Sequence, residues 1–255
     1  MRSVNSPAIR IRRTRASGLE MHALFMGESP DAAIPTYVLV HGLGMSGRYM
    51  MPTAELLAAH GRVVVPDLPG FGGSEKPSRA LTIPELADGL AAWMAAHDLP
   101  PSVLIGNSLG AQVIADLAVR HPHFVERAVL VAPTVDPGAR RVSTQTLRLL
   151  ADALREPLRL YPIALGDYFR AGFRRSWRTL RHALVDPIVE KLPSVACPVL
   201  IVRGGRDPIV PQGWVEQAAG LIPDVRLVTF PEAAHAVNFN SPGRLVEEIL
   251  RFQGR

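Results

Sequence analysis

From Tyr37 onward the chain alternates between two hydrophobic rhythms. Short unbroken apolar runs at residues 37–40, 103–105, 128–131 and 199–202, and Val63-Val64-Val65 in the segment 62–65 that Arg62 opens, read as strands covered on both faces, because a strand buried on one side only would alternate. Between them the apolar positions recur at spacings of three and four. Leu86, Leu90, Trp93 and Met94 line one face of a predicted helix over 82–97, which Thr82 caps and Pro84 and Glu85 open. Val113, Ile114, Leu117 and Ala118 mark another, ending near His121-Pro122. Helices are also predicted over 50–60, 214–221 and 242–252, and a further strand over 226–230. Residues 9–15 and 20–26 alternate moderately around Ser17-Gly18, as a hairpin would. Strand–helix alternation of this kind predicts an α/β fold with a mostly parallel, doubly wound sheet of eight strands.

The rhythm breaks between Pro133 and Leu192, which contains no buried strand. Leu147, Leu149, Leu150 and Leu154, then Tyr168, Phe169 and Phe173, then Trp177, Leu180 and Leu184 carry helical spacing, punctuated by Pro157, Pro162 and Pro187. The expected division is therefore a core of residues 1–132 and 198–255 with a helical cap insertion at 133–197. A chain of 255 residues with 47% hydrophobic and 20% charged residues suits one soluble domain with a large core. No apolar run reaches the length of a membrane span. The first 18 residues hold five arginines but no acid and no apolar h-region, unlike a secretory signal. A single cysteine, Cys197, precludes an internal disulfide, and a cytoplasmic location is expected. The net charge of +5 is almost all arginine, clustered at the N-terminus and over 140–181. No aromatic-studded basic module accompanies it, so nucleic acid is not an expected partner. A solvated basic surface is the plain reading, attraction for anionic substrates or acidic carrier proteins the sharper one.

One junction carries chemistry. The apolar run Val103-Leu104-Ile105 passes into a helix through Gly106-Asn107-Ser108-Leu109-Gly110 with almost no loop. Glycines two before and two after Ser108 relieve a turn too tight for side chains. Such a turn lifts the Ser108 hydroxyl above the sheet at a helix N-terminus, a nucleophile elbow. A serine hydroxyl needs a base, and the base needs an acid to orient it. Asp207 follows the strand ending at Val202, and His235 follows the last strand, both where carboxyl ends of parallel strands should share one rim.

Together these motifs resemble those of the α/β-hydrolase-fold superfamily, over nearly all of residues 37–252. The resemblance rests on His41-Gly42, the Asp67-Leu68-Pro69-Gly70-Phe71-Gly72 loop, the elbow, Gly-x-x-Asp207 before Val210-Pro211, and His235 before Asn238-Phe239. It implies a catalytic triad of Ser108, Asp207 and His235, an oxyanion hole from the backbone amides of Leu43 and Leu109, and a cap over the site. It implies no cofactor and no metal. Gly42, Tyr168, Phe169, Phe173, Trp177 and Val210 are the candidates for the substrate pocket, and the cap aromatics, Tyr161 among them, serve equally well as cap core. The implied activity is hydrolysis of a carboxylic ester with a small-to-medium acyl group, a small-molecule substrate. Gly-Asn-Ser-x-Gly also resembles the carbon–carbon bond hydrolases of ring-fission dienoates. Those enzymes carry a tryptophan after the histidine, where this chain has Ala236-Val237, and a Gly-Gly elbow end, where it has Gly110-Ala111. A receptor that keeps the pocket without turnover is the reading from another class.

Other residues have blander roles. Asp136 is an alternative acid at the end of the preceding strand. His41 is expected to brace the oxyanion loop. His121 and His123 lack the carboxylates of a metal site. Residues 70–74 are glycine-rich but lack the Lys-Ser/Thr of a phosphate loop. Cys197, ahead of Pro198 and a strand, reads as core.

Overall fold

The computed structural model describes residues 8–27 and 34–255; the first seven residues of the arginine-rich N-terminal stretch lie outside the described set. Eight strands form one sheet: β1 (Arg10–Ala16), β2 (Leu19–Met26), β3 (Thr36–Val40), β4 (Arg62–Pro66), β5 (Ser102–Asn107), β6 (Val125–Val131), β7 (Val199–Gly204) and β8 (Val225–Phe230). Their order is β1-β2-β4-β3-β5-β6-β7-β8. The hairpin β1–β2 and the β2–β4 pair are antiparallel; every other pair is parallel. The helices are α1 (Met51–Leu57), α2 (Ile83–Ala96), α3 (Leu109–Arg120), α4 (Val142–Ala153), α5 (Tyr161–Ala171), α6 (Phe173–Val185), α7 (Ile188–Lys191), α8 (Gln212–Leu221), α9 (Val237–Asn240) and α10 (Pro242–Phe252).

The central strands explain the unbroken apolar runs. Val38, Val40, Val64, Leu104, Leu130 and Ile201 belong to one core with α2, α3 and α8. Their neighbours Leu39, Val63, Val65, Ile105, Val131 and Val202 belong to a second core with α1 and α10. Successive side chains thus enter opposite cores, and both must be apolar. At the sheet edge β1 has only one strand neighbour, and its residues Arg10, Arg12, Arg13 and Arg15 are mostly exposed, with Arg13 paired to Glu20 at 2.8 Å.

Helix α2 begins as the sequence indicates. Thr82 Oγ1 accepts from the Glu85 amide, and Glu85 Oε2 accepts from the Thr82 amide at 2.9 Å, a reciprocal capping box. The ion-paired hydrogen bond from Arg79, then the Thr82 amide, lowers the Glu85 carboxyl to about 2. This contribution is full above the ordinary glutamate value and is lost as pH falls toward 2. Thr82→Ala should cost about 1 kcal/mol of stability, read as a lower urea midpoint at unchanged slope.

Between β6 and β7 the chain forms the helices α4 to α7 and no strand. The orientation of its apolar stripes differs from expectation. Leu147, Leu150 and Leu154 are 67%, 61% and 88% exposed, and Phe169 is 78% exposed. The buried positions of these helices are largely polar or small, Gln145, Asp152, Asp167, Ser176 and Thr179 beside Ala171 and Ala183, and of the predicted stripes Leu184 is the one fully buried member. The three-and-four spacing predicts helices correctly, but spacing alone does not say which face meets the core. Phe169, Phe173 and Trp177 are therefore not cap core; they lie exposed, with Arg181 over the Trp177 ring. Most of the large exposed apolar side chains among the described residues fall in this one segment, interspersed with its arginines.

Candidate active site

Ser108 stands between the end of β5 and the start of α3, half-buried, with φ 56° and ψ −116°. That left-handed conformation is costly for a residue with a Cβ and is held by its surroundings. Its amide donates to Val131 O at 2.9 Å, tying the turn to β6. The flanking glycines have a steric reason. A Cβ on Gly106 would lie 2.5 Å from the Gly110 carbonyl, and one on Gly110 would lie 2.3 Å from Val40 O. The helix start and strand end therefore pass closer than any side chain allows. Leu109, the first residue of α3, has an amide outside the intrahelical ladder.

Asp207 and His235 come from loops after β7 and β8, and the fold brings them together. Asp207 Oδ2 accepts from His235 Nδ1 at 2.8 Å, and both side chains are almost fully buried. The other oxygen, Oδ1, accepts the amides of Ile209 at 2.7 Å and Val210 at 3.0 Å. Arg203 secures the same loop through Val210 O and Asp207 O. The alternative acid, Asp136, is engaged elsewhere, with Arg148 at 2.9 Å and the Gly138 amide.

Burial alone would lower the His235 imidazole. The charge and hydrogen bond of Asp207, followed by the charges of Asp152 and Glu156, outweigh it and raise the imidazole to about 9. Asn107 links this arrangement to the elbow. Its Nδ2 donates to His235 O at 3.1 Å, and its Oδ1 accepts from the Tyr49 hydroxyl at 3.0 Å. The strand end that carries Ser108 is thus tied directly to the His235 turn.

The loop after β3 completes the surroundings. A Cβ on Gly42 would sit 3.5 Å from Ser108 Cβ, so residue 42 runs beside the serine. His41 is fully buried. Leu68 donates its amide to Nε2 at 3.0 Å, so Nδ1 carries the proton and donates to Gly42 O at 2.8 Å. Burial keeps the ring neutral by lowering its pKa, against the pull of Asp67. His41 thus braces the Gly42–Leu43 loop against the Asp67–Leu68 loop. The glycine-rich turn 70–74 folds back on Asp67, which accepts the Gly73 amide at 2.7 Å. Tyr168 is the one cap aromatic of the candidate set whose ring packs on this loop, against Gly44; Phe169, Phe173 and Trp177 stay exposed, as noted above. Val210 is buried beside Asp207.

His121 contacts Asp88 at 2.7 Å, and among the described residues no three His, Cys, Asp or Glu side chains gather as a metal would require. Cys197 is half-buried, and burial raises its thiol. No motif marks Tyr49, Asp152 or Glu156 in the sequence, and the elbow motif that contains Asn107 does not reveal its bonds to Tyr49 and His235. The signal for Asp152 is present in retrospect: Gln145 and Asp152 lie seven apart, on the helix face opposite Leu147, Leu150 and Leu154.

The sheet order, the elbow and the acid–imidazole pair define an α/β hydrolase, and the profile of the alpha/beta hydrolase family matches residues 37–248; the chain belongs to that family. Its relatives include a pimeloyl-[acyl-carrier protein] methyl ester esterase from Aromatoleum aromaticum, 30% identical over 264 residues, with 85% of this chain and 98% of the relative covered. A protein of Agrobacterium fabrum named "Putative carbamate hydrolase RutD" is 30% identical over 246 residues, covering 87% of this chain and 94% of its own. Among solved structures, the enol-lactonase of Burkholderia xenovorans LB400 superposes with a TM-score of 0.81 at 22% identity, over 96% of this chain and 100% of that one. No helix among the described residues is long and apolar enough to cross a membrane.

Proposed function

We propose that this α/β hydrolase cleaves a carboxylic ester of small-to-medium acyl size through an acyl-enzyme. The single observation that carries this reading is the Asp207–His235 pair held against the strand end of Ser108 by Asn107. His235 Nε2 takes the Ser108 proton as Oγ bonds to the ester carbon. The amides of Leu43 and Leu109 receive the oxyanion, and one such donor is worth roughly 10²–10³ in turnover. The imidazolium returns its proton to the leaving alkoxide, giving the alcohol. Water then repeats the sequence on the acyl-enzyme, releasing the acid and restoring Ser108. Asp207 holds the tautomer with Nδ1 protonated and stabilises the imidazolium. Residues 133–197 serve as the cap, and Tyr168 with Gly42 and Val210 is the nearest pocket lining. The relatives' named substrates place methyl esters, free or carrier-borne, first in the panel, with carbamates beside them.

The test is a panel of p-nitrophenyl esters of increasing chain length, a methyl ester series and a ring-fission dienoate, each with wild type and Ser108→Ala. Ester turnover lost in the variant supports the reading. Rapid dienoate decay with negligible ester turnover would install the carbon–carbon hydrolase instead. Absence of turnover, together with no fluorophosphonate labelling of wild type, would favour a binding role.

The pH dependence has a definite sign. Only neutral His235 can accept the proton, and the free-enzyme profile of kcat/KM reports its ionisation. Because the carboxylates around it raise its pKa toward 9, kcat/KM should climb with pH well above the ~6.5 of an ordinary imidazole. An acid limb at or below 6.5 in a pH–rate profile contradicts this.

A further inference from the structure

The end of α4 grips the two loops that carry the acid and the base. Asp152 Oδ1 accepts the His235 amide at 3.2 Å, and Glu156 Oε1 accepts the Ala236 amide at 2.8 Å. Glu156 Oε2 accepts from Asn240 Nδ2. Arg155 donates to Arg206 O at 2.8 Å, beside Asp207, and Arg159 to Phe239 O at 3.3 Å. Four side chains within eight residues of the helical insertion therefore hold residues 206 and 235–240. None belongs to the triad, and Asp152 is a buried carboxylate in a helix whose opposite face is leucine.

We propose that Asp152, supported by Glu156, is a positioning residue for His235, fixing the imidazole-bearing turn through its backbone and favouring the charged ring through its carboxylate. This rests on the proposed role of His235 as the base. A backbone acceptor alone could be an amide or a carbonyl; a buried carboxylate is a costly choice unless its charge has a partner. Here the partner is the imidazole. The charged groups around that ring are Asp207 from the loop after β7 and Asp152 and Glu156 from the insertion; the same carboxylates, after burial itself, raise the pKa of the Tyr49 hydroxyl. The nearby guanidinium groups of Arg155 and Arg159 donate to carbonyls, and Arg206 pairs with exposed Glu232. Burial, then the charges of Glu156 and Asp207, raises the Asp152 carboxyl, while the charge and amide of His235 draw it back. Two of the three acids that favour the protonated base thus come from the insertion, not the core. Seating of the insertion and basicity of the catalytic histidine are one coupled property.

Asp152→Asn keeps an oxygen for the His235 amide and removes the charge. The acid limb of kcat/KM on a p-nitrophenyl ester should move down by about one pH unit, a gain of up to roughly tenfold below the limb that fades as pH falls through about 7, where the Asp152 carboxyl itself takes up a proton. The high-pH plateau should stay within about threefold, since the backbone bond survives. Asp152→Ala should show the same shift with a plateau about tenfold lower. The His235 ring titration, followed by NMR in a Ser108→Ala background with and without Asp152→Asn, reads the same shift without any turnover. It therefore separates failure of this inference from failure of the proposed triad. Should Asp152→Asn not fold, Glu156→Gln in the same titration should move the ring in the same direction by a smaller amount. An unmoved limb and ring titration, or equal plateau losses in the Asn and Ala variants without a shift, would reduce Asp152 to a structural prop and overturn the proposal.

Discussion

Ser108→Ala should lower kcat/KM on the best ester of the panel by roughly 10⁴–10⁶-fold while leaving the fold intact. Position 108 is already held at φ 56° and ψ −116°, and alanine has the same Cβ, so the backbone strain is common to both proteins. The space around Cβ is also unchanged. What disappears is the oxygen that the proposed mechanism joins to the acyl group. Stopped-flow kinetics should show a p-nitrophenolate burst in wild type and none in the variant. Retention of more than about a tenth of the wild-type rate would mean that water or another group attacks the ester directly, and the acyl-enzyme would have to be abandoned.

The second large effect is expected at Asp207. Asp207→Asn is nearly isosteric, and its carbonyl oxygen can keep the amides of Ile209 and Val210 that now bind Oδ1. That choice leaves the amide nitrogen facing His235 Nδ1, where a carboxylate oxygen now accepts at 2.8 Å. A donor there requires Nδ1 to be the acceptor, so the ring proton moves to Nε2. The nitrogen meant to receive the Ser108 proton is then already occupied. A loss near 10⁴-fold in kcat follows, the size of the wrong-tautomer effect in serine proteases. The acid limb should also fall, because the strongest charge favouring imidazolium is gone. A variant slowed by less than about tenfold would indicate that the orientation of His235 comes from elsewhere, with Asp152 the first candidate.

The parts of this molecule that the sequence makes legible are those in which local rules and tertiary packing agree. The runs 37–40, 103–105 and 199–202 are apolar at every position because their neighbours enter two different cores. The elbow is legible because Gly106 and Gly110 are the only residues that let β5 and α3 approach so closely. Thr82 and Glu85 announce a helix start four residues wide. The insertion is different. Its period identifies helices, but the leucines of α4 face outward and Asp152 faces inward, and that choice is made by the carbonyls, amides and imidazole waiting on the core below. Tyr49 and Asn107 were illegible for the same reason: their bond, and the one from Asn107 to His235, join segments 58 and 128 positions apart.

The arginines of β1 gain meaning from their place at the margin of the sheet. An open strand offers a row of amides and carbonyls to any passing copy of itself. Here such an encounter would stack two ranks of guanidinium groups, those of Arg10, Arg12, Arg13 and Arg15 from each partner, across a gap of about 5 Å. Crowding that many long, hydrated side chains between two edges disfavours strand addition at this border.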